Sequence, residues 1–248
     1  MRKCLFSGLI ILMVVWQLSA QPSGIELPRS SYGLPIVNDP EIYKKLVRAN
    51  PQNQLISLNE LIPEAHFNVT YADTSNDFHR PLYESAEVFL RKPAAMALKK
   101  ASSLLKQKGM GLLIFDGYRP YAVTVLFWER THDTTYVADP RTGSKHNRGM
   151  AVDVSLYDLK TGEPLSMPSP YDLNSPTSFH TYMDADSASI AHREILRETM
   201  EEAGFLKYTC EWWHYDFPGA SGCYNYDLLP SRIEKANHEL GRLESKPD

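Results

Sequence analysis

Apolar residues fall into two kinds of spacing along this chain, and each kind predicts elements. After Pro93, a residue suited to a helix start, Ala94, Ala97, Ala101, Leu104 and Leu105 keep the spacing of one helical face until Gly109 ends the run. Gly111 to Phe115 is a short apolar run and reads as a buried strand. Pro120 opens a second helix to about Arg130, and Ile190, Ala191, Ile195, Leu196, Met200 and Ala203 line a third that Gly204 closes. Between them Met150 to Leu156 alternates, with Val152 and Val154 on one side and Ala151, Asp153 and Ser155 on the other. Trp212 to Phe217 reads as a final strand. Helices and a few strands, one layer each, predict an α+β fold: a single compact domain over 55–230, with helices packed on a small, mostly antiparallel sheet. Residues 21–54, rich in Pro, Ser and Asn, read as an extended arm. Residues 231–248 read as a polar tail that starts as a short surface helix, with Ser231 and Glu234 at capping-box spacing.

The first twenty residues have a separate pattern. Arg2 and Lys3 precede an almost wholly apolar stretch from Leu5 to Trp16, and Leu18-Ser19-Ala20 supplies a small-residue exit. This is the pattern of a secretory signal peptide, and it predicts an exported protein, periplasmic or secreted. A retained anchor is the other reading, which the shortness of the run disfavours. Once the signal is removed, no stable membrane insertion is expected.

The 26 Lys and Arg stand against 30 Asp and Glu, a net charge of −4; loss of Arg2 and Lys3 leaves 24 against 30, or −6. A mildly acidic chain without a basic tract argues against a nucleic-acid partner. Cys210 and Cys223 remain beyond the leader. In an oxidising compartment they can close a loop as a disulfide; two unpaired thiols are the competing reading.

The candidate chemistry lies in two stretches about sixty residues apart, Ser144-Lys145-His146-Asn147-Arg148-Gly149-Met150-Ala151-Val152-Asp153 and Glu211-Trp212-Trp213-His214. They offer two imidazoles and a carboxylate to one metal ion, and a spare Glu. A catalytic zinc takes three protein ligands and keeps a fourth position for water, and the spare Glu is a proton acceptor for that water. Asp153 between two strand valines needs a partner, because burying it alone is costly. An Arg would serve as well as a metal, and His214 could be an ordinary core histidine beside two tryptophans. Two His, an Asp and a Glu in this order favour the metal. Asp116-Gly117-Tyr118-Arg119-Pro120 leads from a strand end into a helix, which puts Arg119 where an oxyanion could be held.

Ser-x-His-x-x-Gly-x-Ala-x-Asp together with Glu-Trp-Trp-His and Asp-Gly-Tyr-Arg-Pro resembles the D-alanyl-D-alanine dipeptidases. These are zinc dipeptidases of the vancomycin-resistance type, related to D,D-carboxypeptidases and to the Hedgehog amino-terminal domain. The likeness runs from about Leu55 to Phe217 and takes in Tyr71-Ala72, Leu82-Tyr83 and Phe89-Leu90-Arg91-Lys92. It implies one zinc ion per chain on His146, Asp153 and His214, in a cleft on the sheet, with Glu211 as the base and Arg119 as transition-state stabiliser. It also implies a dipeptide pocket with Asp172 on the substrate ammonium and Ser144 or Tyr71 on its carboxylate. The implied activity is hydrolysis of D-Ala-D-Ala and similar dipeptides; the expected export would give it a role in wall turnover or dipeptide recovery. The alternatives are a D,D- or L,D-carboxypeptidase acting on muropeptides and a zinc-bearing binding module without chemistry. Glu211 and Arg119 are both present, which speaks against the last.

Overall fold

The computed structural model describes residues 25–244. The signal peptide expected at 1–20, the first four residues of the expected arm and the last four residues of the chain lie outside the described residues. The elements follow in the order β1 (Ile36–Val37), α1 (Pro40–Ala49), β2 (Leu55–Ser57), α2 (Leu58–Leu61), β3 (His66–Phe67), β4 (Phe89–Arg91), α3 (Lys92–Gln107), β5 (Met110–Asp116), α4 (Tyr121–Thr131), β6 (Ala151–Asp158), α5 (Ser187–Ala203), β7 (Leu206–Lys207), β8 (His214–Asp216), β9 (Asn225–Tyr226) and α6 (Pro230–Glu244). The predicted helices and strands are present, with local causes that match the sequence signals. Pro93 sits in the first turn of α3, Asp186 caps α5 through Ala188 N and Ser189 N, and Gly204 ends α5 in the left-handed region.

The central sheet has five strands in the order β3-β5-β6-β8-β7. Only the β3–β5 pair is parallel; the other three pairs are antiparallel. Val152, Val154 and Leu156 of β6 enter the main core with Leu98, Ala101 and Leu105 of α3 and Leu196 and Met200 of α5. Asp153 and Ser155 point to the opposite face, as alternation along a strand requires. Register then sets the site: Asp153 pairs with His214 on β8 and with Asp116 on β5, past an irregularity between Ile114 and Asp116. Three polar residues far apart in sequence thus stand side by side.

Two segments differ from the sequence expectation. The arm at 21–54 is not extended throughout. Asp39 accepts a hydrogen bond from Glu41 N and Pro40 occupies the first turn, so residues 40–49 form a capped helix. Its Tyr43, Leu46 and Val47 build a second core with Leu55, Phe89, Tyr118, Tyr226, Ile233, Ala236 and Leu240. The tail is helical as expected, but its apolar stripe is buried in that same core rather than lying on the surface. The strand expected over 212–217 covers only His214–Asp216, because Trp212 and Trp213 form a turn.

Candidate metal centre and active site

The first stretch is a loop held rigid from several sides. Asn147 is fully buried; its Oδ1 accepts from Ser144 N, and its Nδ2 donates to Arg119 O and to Thr124 Oγ1. Arg91, also buried, donates to Arg148 O, Asn53 Oδ1 and Tyr224 O, and its own N–H donates to Gly149 O. Gly149 has φ +62°, and a Cβ there would lie 2.7 Å from Leu55 Cδ2 and 2.8 Å from Arg91 N. Only glycine fits both the backbone and the space. The loop therefore delivers His146 in one orientation.

His146 presents Nδ1 to Gly117 O at 2.6 Å, which leaves Nε2 facing the site. His214 is oriented the other way: its Nε2 lies 3.1 Å from Asp216 Oδ1, and Nδ1 faces the site. An outer acceptor on one ring nitrogen frees the lone pair of the other for a cation. The inward atoms form a small triangle. His146 Nε2 is 3.1 Å from His214 Nδ1, His214 Nδ1 is 3.0 Å from Asp153 Oδ1, and Asp153 Oδ1 is 3.4 Å from His146 Nε2. Donors about 2.0–2.2 Å from one tetrahedral zinc ion stand roughly 3.3–3.6 Å apart. The triangle matches that spacing to within a few tenths of an ångström, and two imidazoles with one carboxylate are a zinc-type donor set.

The surroundings carry excess negative charge. Burial opposes ionisation of Asp153, but His146 and His214 outweigh it and hold its carboxyl well below the usual range. Burial likewise works against a charged His214, yet Asp153 and Asp216 push it up to about 10. These carboxylates create a potential that a cation at the triangle would satisfy.

Glu211 lies at the start of the turn that carries the tryptophans, with Oε2 3.7 Å from His214 Nδ1. Burial raises its carboxyl to about 8; Asp153 and Asp172 add to the shift, while His214 and Arg119 oppose it. Arg119 donates through Nε and Nη2 to Asp116 Oδ2, and its Nη2 is 4.0 Å from Asp153 Oδ2. Its guanidinium also lies over the rings of Phe127 and Tyr71. Asp116 in turn accepts from Tyr83 Oη and Gly117 N.

The turn does more than space Glu211 from His214. Trp212 Nε1 donates to Ser169 Oγ, and Trp213 meets Tyr171 edge-on. Tyr171 stacks on Phe115 and donates to Asp153 Oδ2 at 3.2 Å. The pair thus fixes the loop that carries Asp172, whose backbone is held at φ +61°. Tyr71 donates to Asp172 Oδ2 at 2.8 Å, and burial lifts the Asp172 carboxyl to about 6 against that bond and Arg119.

All eight expected site residues line one cleft of about 530 Å³: Tyr71, Arg119, Ser144, His146, Asp153, Asp172, Glu211 and His214. Cys210 and Cys223 are free thiols in this structure, the second of the two readings that the sequence left open. Cys223 Sγ instead turns back to Gly219 O within its own short helical turn. The sequence reading missed Asp116, Asn147, Tyr171 and Asp216. Asp116 and Asn147 stand inside the quoted motifs and Asp216 two residues after His214, so adjacency was the available signal.

The Peptidase_M15 family, described as D-ala-D-ala dipeptidase, matches residues 51–234. The D-alanyl-D-alanine dipeptidase of Escherichia coli (strain K12) is 32% identical over 180 residues, covering 73% of this chain and 91% of that protein. That of Enterococcus faecalis (strain ATCC 700802 / V583) is 34% identical over 187 residues, 66% of this chain and 91% of that protein. Among solved structures, the LD-carboxypeptidase LdcB aligns at a TM-score of 0.36 and 21% identity, covering 64% of this chain and 70% of that one, a likeness too slight to carry an argument. The family match across most of the chain and the identity to the E. coli protein lead to one conclusion: the chain belongs to the D-Ala-D-Ala dipeptidase family of zinc metallopeptidases.

Proposed function

We propose that this protein hydrolyses D-Ala-D-Ala and similar dipeptides, with one zinc ion held by His146 Nε2, Asp153 Oδ1 and His214 Nδ1. The observation that carries the reading is the donor triangle with Glu211 on one side and a buried carboxylate, Asp172, in the same cleft. When bound, zinc supplies Lewis-acid polarisation of the scissile carbonyl and of the attacking water. Glu211 takes the proton from that water and returns it to the departing amine; desolvation, which makes its carboxylate more basic, suits it to both steps. Arg119 is held by Asp116 next to Asp153, with Nη1 left without a protein acceptor among the described residues, and stabilises the negative charge that develops on the carbonyl oxygen. Asp172 receives the substrate ammonium. Because the Tyr71 hydroxyl is bonded to Asp172, Tyr71 belongs to this amino end and not to the carboxylate end. Ser144, whose Oγ accepts from His146 N and keeps its own proton to donate, is left for the carboxylate.

The test is hydrolysis of D-Ala-D-Ala and of a muropeptide pentapeptide, before and after chelation and with zinc restored. Zinc-dependent cleavage of the dipeptide supports the reading. Cleavage of the pentapeptide alone would make the protein a carboxypeptidase, and full activity in Glu211→Ala would remove the base assignment. Among the described residues no helix is long and apolar enough to cross a membrane. The basic and apolar stretch at 1–20 is what supports export, which gives the activity a role in wall turnover or dipeptide recovery outside the inner membrane. Recovery of the protein in the cytosol with its leader uncut would refute that placement.

A further inference from the structure

A dipeptide has two charged ends, and the amino end already has Asp172. Its carboxylate needs a cation on the far side of the metal triangle. Among the described residues, the cations lining the cleft are Arg119, Arg130 and Lys145. Arg119 is committed to Asp116 and sits beside Asp153 at the centre. Arg130 lies over Phe78 and donates to Asp77 O, and Phe78 stacks on Phe127, which packs against Tyr71; Arg130 therefore belongs to the amino side. Lys145 stands between Ser144 and His146, and its Nζ lies 2.5 Å from Asp216 Oδ2. Asp216 in turn holds His214 Nε2, so Lys145 is on the His214 side of the triangle, whereas Asp172 is bonded to Tyr71.

Lys145 is also chemically free to act. An ammonium has three donors, and Asp216 takes one. The side chain keeps 49% of its exposure although its partner keeps only 11%. An extended dipeptide spans about 7 Å, so its ends reach both flanks of a metal that holds its central carbonyl. We propose that Lys145 is a specificity-determining residue: with the Ser144 hydroxyl it binds the free terminal carboxylate and makes the enzyme select substrates that end in an unblocked acid two residues from a free amine. The inference rests on the dipeptidase reading and adds the residue that reads the second end.

The test compares D-Ala-D-Ala with its C-terminal amide, using zinc-loaded wild type, Lys145→Met and Lys145→Arg. The wild type should prefer the acid. Losing one charge-assisted contact should raise KM for the acid about tenfold or more in Lys145→Met, with kcat changed far less, while the amide is unaffected. The acid-to-amide ratio of kcat/KM should fall by the same factor, and Lys145→Arg should restore most of it. Zinc affinity, measured by competition with a chromophoric chelator, should stay within about fivefold of wild type, because a half-exposed ion pair contributes little to its partner. An acid-to-amide ratio in Lys145→Met equal to that of wild type would overturn the inference while leaving dipeptide hydrolysis intact. A wild type that cleaves no dipeptide would overturn the dipeptidase reading and the inference together.

Discussion

Asp216→Ala should weaken zinc binding without unfolding the protein. Asp216 is not a candidate ligand; it acts through His214, whose Nε2 lies 3.1 Å from Asp216 Oδ1. A neutral imidazole has one proton to place, and the carboxylate keeps it on Nε2, away from the donor atom Nδ1. A hydrogen bond to a charged acceptor contributes about 1.5–3 kcal/mol, and that preference is what the alanine variant loses. The ring can then place its proton on Nδ1 or turn over, and either change competes with the metal. The expected loss is roughly 10- to 100-fold in zinc affinity, the usual range for a carboxylate behind a metal-bound histidine. Asp216→Asn keeps an acceptor at the same place and should lose less. Affinity is read by chelator competition at one fixed pH. If Asp216→Ala binds zinc as tightly as wild type, the outer hydrogen bond does not set affinity and the reasoning fails.

Three further outcomes follow from the same geometry. Asp172→Asn should raise KM for D-Ala-D-Ala. In the wild type KM should rise as pH falls through about 6, where Asp172 gains its proton among Tyr71, Arg119, Asp153 and Asp77, and pH profiles of the two proteins should differ in that limb alone. Gly149→Ala should cost about 2 kcal/mol or more, since it combines a φ of +62° with contacts at 2.7 and 2.8 Å; a urea midpoint equal to wild type would contradict the packing of this loop. His180 is buried with neither ring nitrogen partnered, and burial lowers it from 6.5 to about 4. The unfolded chain therefore binds a proton that the folded chain refuses, so stability falls as pH drops from 6.5 towards 4. Between pH 7.5 and 5 this amounts to about 2 kcal/mol, which urea titrations of wild type and His180→Phe should show as a difference in pH dependence.

The helices that build the main core were legible because their causes are local. Pro93 and Gly109 bracket α3, Gly204 closes α5, and apolar spacing marks the faces between. Helix α1 was missed because Pro, Ser and Asn around it outweigh its one short stripe, and its stability comes from Tyr226, Ile233 and Leu240, nearly two hundred residues further on. The turn at Trp212-Trp213 was read as strand because its large apolar residues look alike in either. Its partners, Ser169 and Tyr171, lie forty residues earlier.

The sequence alone determined which chemistry is available: two imidazoles, a carboxylate, a spare glutamate and an arginine, in spacings that few structural roles require. Residue type carries that information, since only certain side chains bind a metal or move a proton. Tertiary structure decided how those groups are used. Strand register sets Asp153 against His214, and Gly117 and Asp216 choose which ring nitrogen faces inward. It also bonds the Tyr71 hydroxyl to Asp172 and leaves Cys210 and Cys223 as free thiols. Each of these depends on contacts between residues distant in the chain or on the direction of a single atom, and local periodicity encodes neither.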